Sequence, residues 1–298
     1  MLVGVSIVVA LVSIGPATLL SQALERSMYV TMLDKAGAPV PNLGPADFIV
    51  REDNLAREVL RVVPASEPMQ IAIMVDTSTA ASQEITHIRR ALPSFLDALA
   101  MPNASGRRNE IAIVTLGSRP TILAEYSTDP GVLRKAVDRI WEESVPVGYY
   151  LLNGIMEVTA GFRSREAMRP VIVAIVTEGP ELSSRHPDQV LAAMRDTGVA
   201  FHVITLGTPS VGIDNDTRDR NRVLDEGPRT TGGTRTQLLT GTALDARLTE
   251  LADVLIATYL VTYARPDALI PPERITVSAR RPDITARGTP VRAAQGRQ

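Results

Sequence analysis

The residues with the most chemical potential in this sequence are a short run of oxygen-bearing side chains, Asp76, Thr77, Ser78 and Thr79, directly after the apolar stretch 71–75. A second group, Thr177 and Glu178, follows the apolar stretch 171–176, and two adjacent tyrosines, Tyr149 and Tyr150, lie between the two groups in the chain. Such residue types have plain structural uses. A carboxylate or hydroxyl at a strand end caps the helix that follows, and a tyrosine starts a helix half-buried. They also have a functional use, because adjacent tyrosines offer a partner protein rigid ring area at low entropic cost.

Catalytic constellations are missing together. No Gly-x-Ser-x-Gly elbow, His-Glu-x-x-His run or glycine-rich loop after the first apolar strand is present, and there is no cysteine. His202 lies in an apolar strand, His186 stands at a helix start before Pro187, and His87 sits on a helix between core positions. The expectation is a protein that is not an enzyme, with a hydrolase using an unrecognised site as a distant alternative. The formal net charge of -2 gives no basic field for nucleic acid. The expected partner is another protein.

These groups need elements to hold them. From Gln70 onward, buried-type strands alternate with amphipathic helices. Strands are expected at 71–75, 111–114, 121–123, 171–176 and 200–204, and helices at 85–99, 132–140, 151–162, 186–197 and 244–255. That alternation predicts an α/β domain over 69–258, with a doubly wound, mostly parallel, Rossmann-like sheet. Ligands of such sheets sit beyond the carboxyl ends of the strands, where the strand order switches. Asp76, Tyr149 and Glu178 are expected there.

Around this domain the pattern is different. Residues 2–20 carry no charge, and residues 1–23 read as a signal peptide or membrane anchor. That places the protein outside the cytoplasm, either secreted, periplasmic or membrane-anchored, with any membrane contact through this segment alone. Residues 28–66 read as a small β segment, with Asp53-Asn54 as a hairpin turn and 57–63 as the return strand. Strands at 260–263, 275–279 and 284–286 fall within a C-terminal stretch 259–288, and 289–298 read as a tail. Neither β piece can bury a core alone, so the two are expected to pair into one accessory β unit. The stretch 214–229, with Arg218, Asp219, Arg220 and Arg222, reads as a solvated helix laced by local ion pairs.

The strand 71–75 followed by Asp76-x-Ser78 resembles the opening of a von Willebrand factor type A domain. Bacterial proteins related to that family share a leading segment like Val30-x-Met32-Leu33-Asp34-x-x-Gly37-x-Pro39, then Asp47-Phe48-x-Val50-x-Glu52-Asp53. They also share a tail like Tyr259-x-x-x-Tyr263 and Ile275-x-Val277-x-Ala279-x-Arg281-Pro282. The resemblance covers residues 28–288. It implies a metal-ion-dependent adhesion site in which Asp-x-Ser-x-Ser, a later threonine and a later aspartate hold Mg²⁺. Asp76 and Ser78 match that pattern, Ala80 stands for the second serine, Tyr149 for the threonine and Glu178 for the aspartate. With two of three hydroxyl ligands absent, the expectation is a degenerate site without a cofactor. The alternative is a Mg²⁺- or Mn²⁺-dependent adhesion module through Asp76, Ser78 and Glu178. In the metal-free reading, Tyr149 and Tyr150 are the candidate partner-binding residues.

Overall fold

The structure, a computed structural model, describes residues 24–291 except 104, 145–147, 210–213, 267–269 and 271. The apolar run 2–20, Val147 and most of the segment 289–298 lie outside the described residues. Among the described residues, no helix is long and apolar enough to cross a membrane.

In chain order the strands and helices are β1 (Leu24–Leu33), β2 (Phe48–Glu52), β3 (Leu55–Arg57), β4 (Val59–Pro64), β5 (Gln70–Val75), α1 (Ile85–Ala100), β6 (Glu110–Thr115), β7 (Thr121–Ser127), α2 (Pro130–Val137) and α3 (Leu151–Ser164). They continue with β8 (Pro170–Thr177), α4 (Pro187–Thr197), β9 (Ala200–Leu206), α5 (Asn215–Thr231), β10 (Arg235–Leu238), α6 (Leu244–Ile256), β11 (Tyr259–Arg265), β12 (Ile275–Ala279) and β13 (Thr285–Pro290).

The central sheet runs β10-β9-β8-β5-β6-β7, parallel except for β7 at one edge. Its strands are apolar on both sides because helices cover both faces. Ile71, Ile73, Val75, Val171, Val173 and Ile175 pack under α1, α2 and α6. The alternate residues Ala72, Met74, Ile172, Ala174 and Val176 pack under α3, α4 and α5. A side-chain period of two thus divides one run between two cores. The chain winds from β5 outward through β6 and β7, then crosses to β8 and winds the other way. The switch in strand order therefore falls between β5 and β8, whose aligned registers end in the pair Val75 and Ile175.

Both chain ends build the second unit. β1 lies between β13 and β11, all antiparallel, and β4 completes that sheet. A second sheet, β12-β2-β3, closes over it around Met28, Val30, Met32, Phe48, Val50, Val261 and Tyr263. The Phe48 and Tyr259 rings meet edge to face at 5.7 Å. Arg169, buried just before β8, ties the units together. Its guanidinium donates to the Leu255 carbonyl at 2.8 Å and lies 5.0 Å from the Tyr29 ring centre. These contacts fall at the amino ends of the central strands, away from the carboxyl ends among the described residues.

Two expectations need correction. Asp53 and Asn54 do form the tight turn, with φ of 47° and 69°. The return strand, however, divides at Glu58: β3 pairs with β2, whereas β4 leaves for β11. The tail also begins later than position 289, because Gly288, Thr289 and Pro290 belong to β13 and pair with β1. Pro290 is tolerated there because β13 is an edge strand, and the Thr289 hydroxyl donates to the Thr231 carbonyl at 2.5 Å. His202 is a core residue, with Nδ1 3.0 Å from the Thr234 hydroxyl and its pKa pushed down to about 3 by burial.

A chain that begins at Val40 lacks β1 and leaves β11 and β13 without their shared neighbour. It is expected to lose protease resistance and its cooperative thermal transition when measured beside a chain that begins at Leu24.

Candidate functional site

Asp76 stands one residue beyond β5, and the parallel register brings it against the end of β8. Both of its carboxylate oxygens are engaged by the chain. One accepts the Ser78 N–H at 2.8 Å; the other accepts the Thr177 N–H at 3.2 Å and the Thr177 hydroxyl at 2.5 Å. Asp76 is fully buried, so these bonds replace its hydration. They also lock the loop after β5 to the last residue of β8.

Ser78 is fully buried beside it, and its hydroxyl oxygen has no hydrogen-bond partner. Ala80 presents a methyl group that closes against Gly179, where an added Cβ would lie 2.7 Å away. Ala80 is exposed and offers a methyl group where the family pattern calls for a hydroxyl.

Tyr149 is also fully buried. Its hydroxyl donates to the Thr177 carbonyl at 2.8 Å, its backbone N–H donates to the Pro180 carbonyl at 3.0 Å, and its carbonyl accepts the Leu182 N–H at 2.9 Å. Burial pushes its pKa well above the ordinary tyrosine value. The ring is a strut inside the loop after β8, and burial removes it from the candidate partner-binding residues. Tyr150, the residue before α3, is half-buried and keeps part of its surface in solvent.

Glu178 is 11% exposed and ion-paired at 2.8 Å with Arg220 of α5. Arg220 is the largest fully buried side chain of the described residues. It donates to the Gly179 carbonyl at 2.6 Å and to the Asn221 amide oxygen at 2.9 and 3.1 Å, and its charge opposes the upward push of burial on the Tyr149 hydroxyl. The reading of 214–229 as a solvated helix is thus corrected at its centre. Thr217, Arg220, Leu224, Gly227 and Thr231 form one buried stripe at helical spacing, and Arg220 lies on it. That spacing was the available signal; it is easily passed over because arginines default to the surface.

Two more carboxylates were missed. Glu143 accepts from the Thr77 hydroxyl at 3.2 Å, the Ser118 N–H at 2.8 Å and the Ser118 hydroxyl at 2.7 Å, fastening the segment after α2 to the ends of β5 and β6. Glu181 is buried against the start of α3 and accepts the Leu151 N–H at 3.2 Å and the Ser183 N–H at 2.9 Å. Burial pushes its pKa up to about 7, with the N–H donors opposing the shift.

Tested against a Mg²⁺ shell, the residues do not fit. The ion needs near-octahedral oxygen ligands. The orphaned Ser78 hydroxyl is a candidate ligand. Against it stand an Asp76 with both oxygens engaged, a methyl at Ala80, a Tyr149 hydroxyl turned to a carbonyl, and a Glu178 already facing a cation.

Replacing Asp76 by Ala leaves two buried N–H groups and a hydroxyl unpaired, and is expected to cost about 3 kcal/mol of stability in denaturant unfolding. Glu181 gives a pH signature. Its folded pKa, about 7, lies above its ordinary 4.5, so its contribution is full below pH 4.5 and lost as pH rises through 7. Wild type is therefore expected to lose about 3 kcal/mol relative to Glu181→Gln between pH 4.5 and pH 8. The two stability curves, measured side by side, cancel the opposite effect of His202, which both proteins share.

No protein-family model and no curated protein matches this sequence. Solved structures do match the fold. Proximal thread matrix protein 1 from the mussel byssus superposes with a TM-score of 0.51 at 15% identity, over 69% of this chain and 49% of that one. The same protein with a zinc-occupied MIDAS motif gives 0.50 at 13% identity, over the same shares. A von Willebrand factor type A protein from Catenulispora acidiphila gives 0.49 at 10% identity, over 91% of this chain and 74% of that one. This chain matches about half the length of the byssus protein. At these identities the likeness speaks for fold, and the strand order, the helices on both faces and the polar cluster at the switch between β5 and β8 agree with it: the α/β domain of this chain has the von Willebrand factor type A fold.

Proposed function

We propose that this protein is a binding or scaffolding module that acts outside the cytoplasm, through a von Willebrand factor type A domain whose metal-ion-dependent adhesion site has degenerated. The observation that carries this reading is the state of Asp76: both carboxylate oxygens accept hydrogen bonds from its own chain, which turns them toward Ser78 and Thr177. The absence of catalytic motifs in the sequence supports a role without turnover. The uncharged run 2–20 supports export, and a byssus matrix protein with the same fold is an extracellular precedent.

The partner surface is assigned to exposed side chains at the carboxyl ends of the strands. Trp141 is 63% exposed, with the Arg89 guanidinium 4.2 Å from its ring centre, and stands two residues before the anchored Glu143. Tyr150 and the exposed Leu182 stand beside the buried Tyr149. Tryptophan, tyrosine and arginine are the side chains most often dominant at protein interfaces.

The Ser78 hydroxyl favours the second reading, a Mg²⁺- or Mn²⁺-dependent adhesion module through Asp76, Ser78 and Glu178, because a buried hydroxyl without a partner is what a lost or absent ligand leaves behind. Affinity capture from extracellular and envelope fractions, run in EDTA and again in MnCl₂, separates the two. The expected result is one protein retained equally in both and lost with Trp141→Ala at unchanged thermal stability. Retention that needs Mn²⁺ and disappears with Asp76→Ala would establish the adhesion reading. Turnover of an ester or peptide panel would bring back the hydrolase.

A further inference from the structure

The oxygen atoms that converge at the end of β8 already surround a cation. Around Arg220 stand a carboxylate (Glu178, 2.8 Å), a main-chain carbonyl (Gly179, 2.6 Å) and a side-chain amide oxygen (Asn221, 2.9 and 3.1 Å), and the buried Tyr149 hydroxyl lies within reach of its charge. All are oxygen donors of the kinds that hold hard metal ions. Two of these residues, Tyr149 and Glu178, stand at the positions that the family pattern gives to a metal-ligating threonine and aspartate.

We propose that the guanidinium of Arg220 is the resident cation of this locus, supplying the charge a divalent ion would otherwise bring and making the site insensitive to such ions. The inference rests on the metal-independent reading of the site and gives it a cause. Three features of the chain fit together under it. A guanidinium is planar and donates in fixed directions, so it suits a carboxylate, a carbonyl and an amide oxygen better than a spherical array of hydroxyls. The hydroxyl ligands a metal needs have been replaced at positions 80 and 149, where an exposed alanine offers no ligand atom and the buried tyrosine turns its hydroxyl to the Thr177 carbonyl. Helix α5 delivers the arginine from a buried stripe, so the cation comes with a covalent tether to the helix and cannot be removed by a chelator.

The test uses the purified chain, with no partner needed. Wild type is expected to unfold at the same temperature in EDTA and in MnCl₂, and to give no saturable heat on titration with Mn²⁺. Arg220→Met keeps an unbranched apolar stem but withdraws the guanidinium from the poorly solvated Glu178 carboxylate, and should lower Tm by on the order of 10 °C. Adding Glu178→Gln to Arg220→Met removes that charge and should restore at least half of the loss. The smaller Arg220→Ala opens the locus, and its Tm should rise on addition of guanidinium ion at concentrations too low to unfold wild type.

An Arg220→Met protein as stable as wild type would overturn the proposal, and so would a double variant no better than the single one. These outcomes would leave the absence of metal binding intact. Saturable Mn²⁺ binding by wild type that is lost in Asp76→Ala would overturn the metal-independent reading itself, and the resident cation with it.

Discussion

At the carboxyl ends of β5 and β8 the chain carries ionisable groups, Asp76 fully buried and Glu178 and Glu143 partly so, and the surrounding loops are arranged to compensate them. A buried carboxylate without partners would cost several kcal/mol or take up a proton. Asp76 is satisfied by N–H and hydroxyl donors from its own loop and from Thr177, Glu143 by Thr77 and Ser118, and Glu178 by Arg220. Each solution ties one loop to another element. The result is a cluster in which satisfying the charges and fixing the backbone are the same event. Glu181, with N–H donors but no cation, pulls the other way: its carboxyl is raised toward neutrality by burial.

The pairing of Glu178 with Arg220 also decides what else the locus can hold. A divalent ion placed about 4 Å from a guanidinium would meet a repulsion on the order of 8 kcal/mol at an effective dielectric of about 20. Two or three carboxylates could offset that if their oxygens were free to turn inward, but those of Asp76 are directed to Ser78 and Thr177. Geometry and charge thus act in the same direction. The Ser78 hydroxyl is the one group in the cluster that they leave without a bond, and a buried hydroxyl alone is too weak a ligand to reverse the balance.

Much of the architecture was legible in the residues because it depends on local pattern. The uninterrupted apolar runs 71–75 and 171–176 could only be strands covered on both faces, and the order of strands and helices placed the switch point where Asp76 and Glu178 are found. The turn at Asp53-Asn54 was legible from its backbone chemistry. The division of its return strand at Glu58 was not, because it depends on β11, whose partner residues lie about two hundred positions further along the chain. Arg220 was missed for a related reason. Its helix reads as highly charged, and the acceptors at Glu178 and Gly179 that help to make a buried arginine tolerable come from a distant segment. The burial of Tyr149 follows from those same long-range contacts, so a tyrosine pair that reads as a partner surface turns out to be one strut and one half-exposed ring.

Rigidity at the locus has a consequence for how a partner could be recognised. If the charges are closed in on themselves, a partner gains nothing from completing a metal shell, and its affinity must come from the exposed rim: the Trp141 ring with Arg89 beside it, the outer part of Tyr150, and Leu182. These side chains stand on backbone that the buried bonds hold in place, from Glu143 to Thr77 and from Tyr149 to Pro180 and Leu182. A surface held this way loses little conformational freedom on binding, which favours affinity without any new contact. Among the described residues the β unit packs at the amino ends of the central strands, through Arg169 and Tyr29. Under the proposed function, compensation of buried charge, first a requirement of folding, is also the means of holding that rim stiff for another protein.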